Sequence, residues 1–164
     1  MKVEKEMEYV KIDQLDKQRI TAFFNEHWGS TEMVVTSGRY HCDRLPGFAA
    51  IADGGKIGGM ITYSIAGKTC EIISLDSLLE ERGIGTTLVK MVEDMAKKTK
   101  CTSVKLVTSN DNIHAIGFYQ RRGYRITTIH RNAIDRARQV KPQLPFVAEN
   151  GIPIRDELLL IKQL

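Results

Sequence analysis

Two glycines, Gly83 and Gly85, open the stretch GIGTTLVKMVEDMAKK (83–98), which otherwise reads as one amphipathic helix with Ile84, Leu88, Val92 and Met95 on a single face. Glycine inside a helix costs roughly 0.5–1 kcal/mol against alanine, so two in one turn need a tight backbone bend or a ligand that comes close to the main chain. The first N–H groups of a helix have no partner within it, and the helix dipole adds partial positive charge at the same end. Such an end attracts an anion, and spacing narrows the kind. A P-loop needs Lys and then Ser or Thr after its last glycine, whereas Gly85 is followed by Thr86 and Thr87. A dinucleotide fingerprint needs a third glycine where Leu88 stands, directly after a strand. What remains is a cradle for a pyrophosphate, built from the N–H groups of Arg82, Gly83, Ile84, Gly85, Thr86 and Thr87. A glycine pair that merely shapes a strand-to-helix turn is its alternative.

Other chemistry-bearing residues are sparse. In TCEIISLDS (69–77) strand alternation places Glu71, Ile73 and Leu75 on one face and Asp76, at the strand end, on the other. His41 and His114 sit among polar neighbours, as surface histidines do. Cys42, Cys70 and Cys101 show neither C-x-x-C spacing nor a helix-start setting with a histidine partner, so they read as buried or inert thiols. No metal-ligand spacing is present.

The elements that must position these residues follow from periodicity. MEYVKI (7–12) alternates like a strand, and DKQRITAFFNEHW (16–28) carries Ile20, Phe23, Phe24 and Trp28 at helical spacing. The polar stretch 29–47 has no readable pattern and is a candidate border of a substrate site. From Phe48, three strands separated by the turns DGG and AGK form an antiparallel meander ending in TCEIISLDS. The glycine-led helix comes next, then the strand SVKLVTS (103–109). A short helix follows, with Asn112 as N-cap and Gly123 as its stop. The strand YRITTIH, a helix over 132–141 ending before Pro142, and a last strand over 156–164 complete the chain.

With 164 residues, 42% hydrophobic and 27% charged, the chain predicts one α+β domain over 1–164. It has no apolar run near the ~20 residues of a membrane span and no secretory signal at MKVEKEMEYV. A reducing cytoplasm fits the odd, scattered cysteines. The net charge of +4 favours an anionic ligand, but well-mixed charges argue against a nucleic-acid arm.

The order SLDS…EERGIGTTLV…NIHAIGFYQRRGY resembles the GNAT superfamily of acyl-CoA-dependent N-acetyltransferases, from about Thr69 to Tyr124. Gly83 and Gly85 match the family's phosphate loop, although Glu80 stands where Arg or Gln is usual and is expected to turn to solvent. Asn112, Ala115, Phe118, Tyr119, Gly123 and Tyr124 match its second block. The resemblance implies a mixed, mostly antiparallel sheet of about seven strands with a splayed central parallel pair and helices on both faces. It implies acetyl-CoA as co-substrate, its pantetheine arm pairing with the backbone of Leu75, Asp76 and Ser77, and Asn112 and Arg121 as further contacts. Tyr119 would protonate the departing thiolate, and Glu71 or Asp76 would take the proton of a primary amine. Expected partners are a small-molecule or peptide amine and no membrane, with a homodimer compatible. Two other readings stay open: a non-catalytic acyl-CoA sensor, and a toxin-like enzyme acting on aminoacyl-tRNA.

Overall fold

The computed structural model describes residues 7–79 and 83–164. The strands are β1 (Glu8–Lys11), β2 (Glu32–Val35), β3 (Gly38–His41), β4 (Gly47–Ile51), β5 (Ile57–Ala66), β6 (Thr69–Ser77), β7 (Ser103–Ser109), β8 (Arg125–His130) and β9 (Glu157–Gln163). The α-helices are α1 (Lys17–Trp28), α2 (Ile84–Lys98), α3 (Ile113–Arg121) and α4 (Ala133–Val140). Seven strands make one sheet in the order β1-β4-β5-β6-β7-β9-β8. All its pairs are antiparallel except β6 with β7, which is the expected arrangement. The stretch 29–47, unreadable in the sequence, supplies the separate hairpin β2–β3.

Helices cover both faces. α1 starts at Asp16, whose carboxylate accepts from the Gln18 N–H at 2.8 Å, and ends at Gly29 in the left-handed region with φ 71°. Its Ile20, Phe23 and Phe24 pack with Ala49, Met60 and Ile73 on one side of the sheet. On the other side α2 packs Ile84, Leu88, Val89 and Val92 against Ala50, Ile61, Ile72 and Val104, joined by Tyr119 and Tyr124. Each such side chain, fully buried, stabilises the fold by roughly 1.5–3 kcal/mol. Trp28, expected on the buried stripe of α1, is instead 41% exposed.

One irregularity shapes what lies between the two layers. Thr62 pairs with Ser74 but Tyr63 with Ile72, which leaves Ile73 as an extra residue in β6, a β-bulge. On its other edge β6 pairs with β7 only from Thr69↔Ser103 to Ile72↔Leu106. A bulge bends and twists its strand, and this one stands where pairing to β7 stops. It also reverses the alternation beyond it. Ile73 packs in the α1 layer and Leu75 in the α2 layer, while Asp76 receives a hydrogen bond from Trp28 of α1. The expectation that Ile73 and Leu75 share a face, with Asp76 opposite Glu71, is thereby corrected: Glu71, Ile73 and Asp76 all face the α1 and hairpin side.

Cys42, Cys70 and Cys101 are buried and free. Burial pushes the Cys42 thiol up to about 11 and the Cys70 thiol up to about 12, so both stay protonated and unreactive. Among the described residues no helix is long and apolar enough to cross a membrane.

Candidate active site

Where β6 and β7 part, a cleft of about 350 Å³ opens through the sheet. Ile73 to Ser77 form one wall and Leu106 to Thr108 the other, with Gly85, Phe118 and Tyr119 at one mouth and Trp28 at the opposite one. Leu75, Asp76 and Ser77 pair with Ile61, Met60 and Gly59 of β5 on one side only. Their β7-facing edge is left to a ligand that can run as a pseudo-strand.

The N-terminus of α2 explains both glycines. Gly83 is the N-cap in the left-handed region, φ 66°, and brings no side chain to cap the helix. At Gly85 a Cβ would stand 3.2 Å from Cζ of Phe118, so the absence of a side chain lets α3 close onto the first turn of α2. The glycines therefore have structural causes, and Gly83 also leaves the helix start without a side-chain cap. Arg82 and Glu80 lie outside the described residues. Ile84 is buried under the turn. Thr86 Oγ1 accepts from Arg122 through Nε at 3.1 Å and through Nη2. Arg122 also donates to the Phe118 carbonyl at 2.8 Å and lies 3.6 Å over the Phe118 ring. Among the described residues it is Arg122 that reaches the first turn of α2, while Arg121 is exposed and lines no part of the cleft.

Asp76, Tyr119 and His114 line the cleft, and the first two lie close enough to act on each other. Asp76 Oδ2 accepts the indole N–H of Trp28 at 2.8 Å. Burial holds the Asp76 carboxyl above its ordinary pKa, opposed by the Trp28 hydrogen bond and the charge of His27. Tyr119 is 5% exposed, its ring edge-on to Phe118 at 5.1 Å and to Tyr124 at 5.4 Å. Burial first, and then the negative charge of Asp76, push its phenol well above the usual range, with Arg122 opposing. The Tyr119 hydroxyl has no hydrogen-bond partner among the described residues. Asn112 caps α3 by accepting from the Ala115 N–H at 3.2 Å, and it lines the cleft as well.

Glu71 stands apart from these. It is buried, and its Oε2 accepts from Ser37 Oγ at 2.7 Å, while Oε1 of Glu157 accepts from the Thr36 N–H at 3.0 Å. Two carboxylates thus clasp the turn of the β2–β3 hairpin down onto the sheet. The hairpin walls a second cavity of about 260 Å³, which shares Trp28, Ile73, Val107, Thr108 and Asn112 with the cleft. Among the described residues no group of three or more His, Cys, Asp or Glu could hold a metal.

The family model of the acetyltransferase (GNAT) family matches residues 13–124. The chain belongs to the GNAT family. This acetyltransferase-family chain is 53% identical over 150 residues to the uncharacterized protein YdhI of Bacillus subtilis, covering 92% of this chain and 94% of that protein. It is also similar to a solved GNAT family acetyltransferase from Elizabethkingia anophelis with acetyl-CoA bound, at 27% identity over 73% of this chain and 76% of that one, TM-score 0.63. An IAA acetyltransferase from Bacillus cereus shares the fold at TM-score 0.73 and 20% identity, covering 97% of this GNAT chain and all (100%) of its own.

Proposed function

We propose that the chain moves the acetyl group of acetyl-CoA to a primary amine by direct attack in a ternary complex, in the cytoplasm. The carrying observation is the parting of β6 from β7 beside a helix N-terminus that Gly83 leaves without a side-chain cap, with Asp76 and Tyr119 lining the gap. Acetyl-CoA fits these residues. Its pyrophosphate would lie on the amides of Gly83 to Thr87, where the dipole favours negative charge, and its pantetheine amides along the open edge of Leu75 to Ser77. Bound there, it supplies an activated acyl carbon and a thiolate leaving group.

The residues of the chain handle protons. Asp76, with raised proton affinity and its orientation fixed by Trp28, takes a proton from the incoming ammonium. The freed nitrogen forms the new C–N bond as the C–S bond breaks. Tyr119, whose phenol stays protonated at neutral pH, gives its proton to the sulfur, and the second proton that the nitrogen sheds as the amide forms restores the phenol. Asp76 is the assigned base rather than Glu71, because Asp76 lines the cleft and the Glu71 carboxylate is held by Ser37.

A second reading, acyl-CoA binding without transfer, draws on the packing of Tyr119 among Phe118 and Tyr124. Tyr119→Phe separates the two. With Tyr119 as acid, single-turnover transfer slows by roughly 10²-fold, while the acetyl-CoA Kd by calorimetry stays within a few fold. A phenylalanine variant with wild-type single-turnover rate removes Tyr119 from the mechanism. Binding without transfer to any amine favours the second reading.

A further inference from the structure

The second cavity has a composition that selects among amines. Met33, Val34 and Val35 of β2, Ile134 of α4, and Leu144 and Pro145 of the following loop line it. Their walls are preset: buried Arg138 donates to the carbonyls of Leu144 at 3.2 Å and Ile154 at 2.7 Å and to that of Pro145, pinning the loop. At about 260 Å³ the cavity suits a small body, near the lower bound of roughly 300 Å³ for small-molecule sites. It opens on the α1 side of the sheet, so a molecule held in it reaches Asp76 from the side opposite the α2 terminus.

The charges in and beside it favour a cation. Glu157, 3% exposed, lines the cavity, and Asp76 of the adjoining cleft is hydrogen-bonded to Trp28, a residue the two share. Neither has an ion-pair partner among the described residues. Glu32 is paired with Arg39 at 2.9 Å. Lys141 is the cation of the lining, and it donates to the Glu32 carbonyl at 2.9 Å.

From this juxtaposition we infer that the cavity is the acceptor site and that the acceptor is a small primary amine with an apolar, uncharged body, such as an alkylamine or aralkylamine, rather than an anionic amino acid, a nucleotide-linked amine or a polar amino alcohol. The inference rests on the acetyl-transfer reading above. The apolar body displaces water from the β2, α4 and loop wall, and the ammonium is drawn to the carboxylate side, where Asp76 receives its proton.

The test is acetyl transfer, read by thiol release, to hexylamine, to 2-(2-aminoethoxy)ethanol of the same length, and to glutamate. Hexylamine should exceed the ether alcohol by at least about tenfold in kcat/KM, since each buried methylene contributes about 0.8 kcal/mol, or fourfold, and glutamate should be slower still. Glu157→Gln keeps an acceptor for the Thr36 N–H but loses the charge, so KM for hexylamine should rise roughly tenfold with kcat within about threefold. Leu144→Asp, whose backbone stays under Arg138, should lower kcat/KM for hexylamine at least about tenfold with the acetyl-CoA Kd unchanged. Equal or better turnover of the ether alcohol or glutamate, or an unmoved KM in Glu157→Gln, overturns the inference and leaves acetyl transfer standing. Failure of the wild-type chain to bind acetyl-CoA in calorimetry refutes the acetyl-transfer reading itself, and the inference falls with it.

Discussion

Replacing Trp28 by Phe removes the indole N–H donor from Asp76 and trims the wall that the cleft and the second cavity share. The indole N–H sits 2.8 Å from Asp76 Oδ2, and a hydrogen bond to a charged group is worth about 1.5–3 kcal/mol when water is excluded. Trp28 is 41% exposed, so water replaces part of that, and about 1 kcal/mol is the expected loss. The bond stabilises the carboxylate form, opposing the burial that raises the Asp76 pKa. Without it Asp76 holds its proton more tightly, by about fivefold. The base is then unavailable to a higher pH. In single-turnover transfer at saturating acetyl-CoA, the acidic limb of the pH–rate profile moves up in Trp28→Phe. At pH values where Asp76 is ionised in both proteins, the two rates should agree within about threefold. The amine's own titration appears in both profiles, so the difference between them isolates Asp76. Superimposable acidic limbs, whatever the plateau, would refute the role given to the Trp28–Asp76 bond.

Asp76→Asn should cut single-turnover transfer by roughly 10²-fold or more and raise thermal stability at neutral pH. The sign follows from the raised pKa: stability linked to a protonated Asp76 is full below the ordinary carboxylate pKa and is lost as pH rises through the folded value, and asparagine avoids that loss. A melting temperature that falls at pH 7 contradicts this. Glu71→Gln retains an acceptor for Ser37, so turnover should stay within about threefold; a hundredfold loss would return Glu71 to the list of bases. Gly85→Val places carbons against Phe118, where Cβ alone would lie 3.2 Å from Cζ. It should cost about 1–3 kcal/mol in denaturant melts and weaken acetyl-CoA binding at least about tenfold in calorimetry; unchanged affinity in the folded variant removes the cradle.

What the sequence makes legible is whatever one element decides by itself. The helix from Gly83 to Lys98 is written in its own period, and the seven sheet strands in theirs, so their order and the position of the glycine pair at a helix start could be read directly. The hairpin β2–β3 could not. Its strands have four residues each, and β2 is half-buried at every position, so no alternation survives to mark a face. Arg121 and Arg122 are neighbours at a helix end, and only the docking of α3 on Gly85 decides which of them reaches Thr86. The bulge at Ile73 matters most for chemistry. No glycine or proline announces it within TCEIISLDS, because it is a property of β6 against β5 rather than of β6. Period-two counting from Glu71 therefore puts Asp76 on the wrong face. One residue of slippage changes which carboxylate can meet an amine. With strict alternation, Asp76 would turn away from Trp28; with the bulge it meets the indole N–H of Trp28, a residue shared by the cleft and the hairpin cavity. The base proposed above thus depends on strand pairing: the bulge stands where β6 and β7 part, and it sets the face on which Asp76 lies.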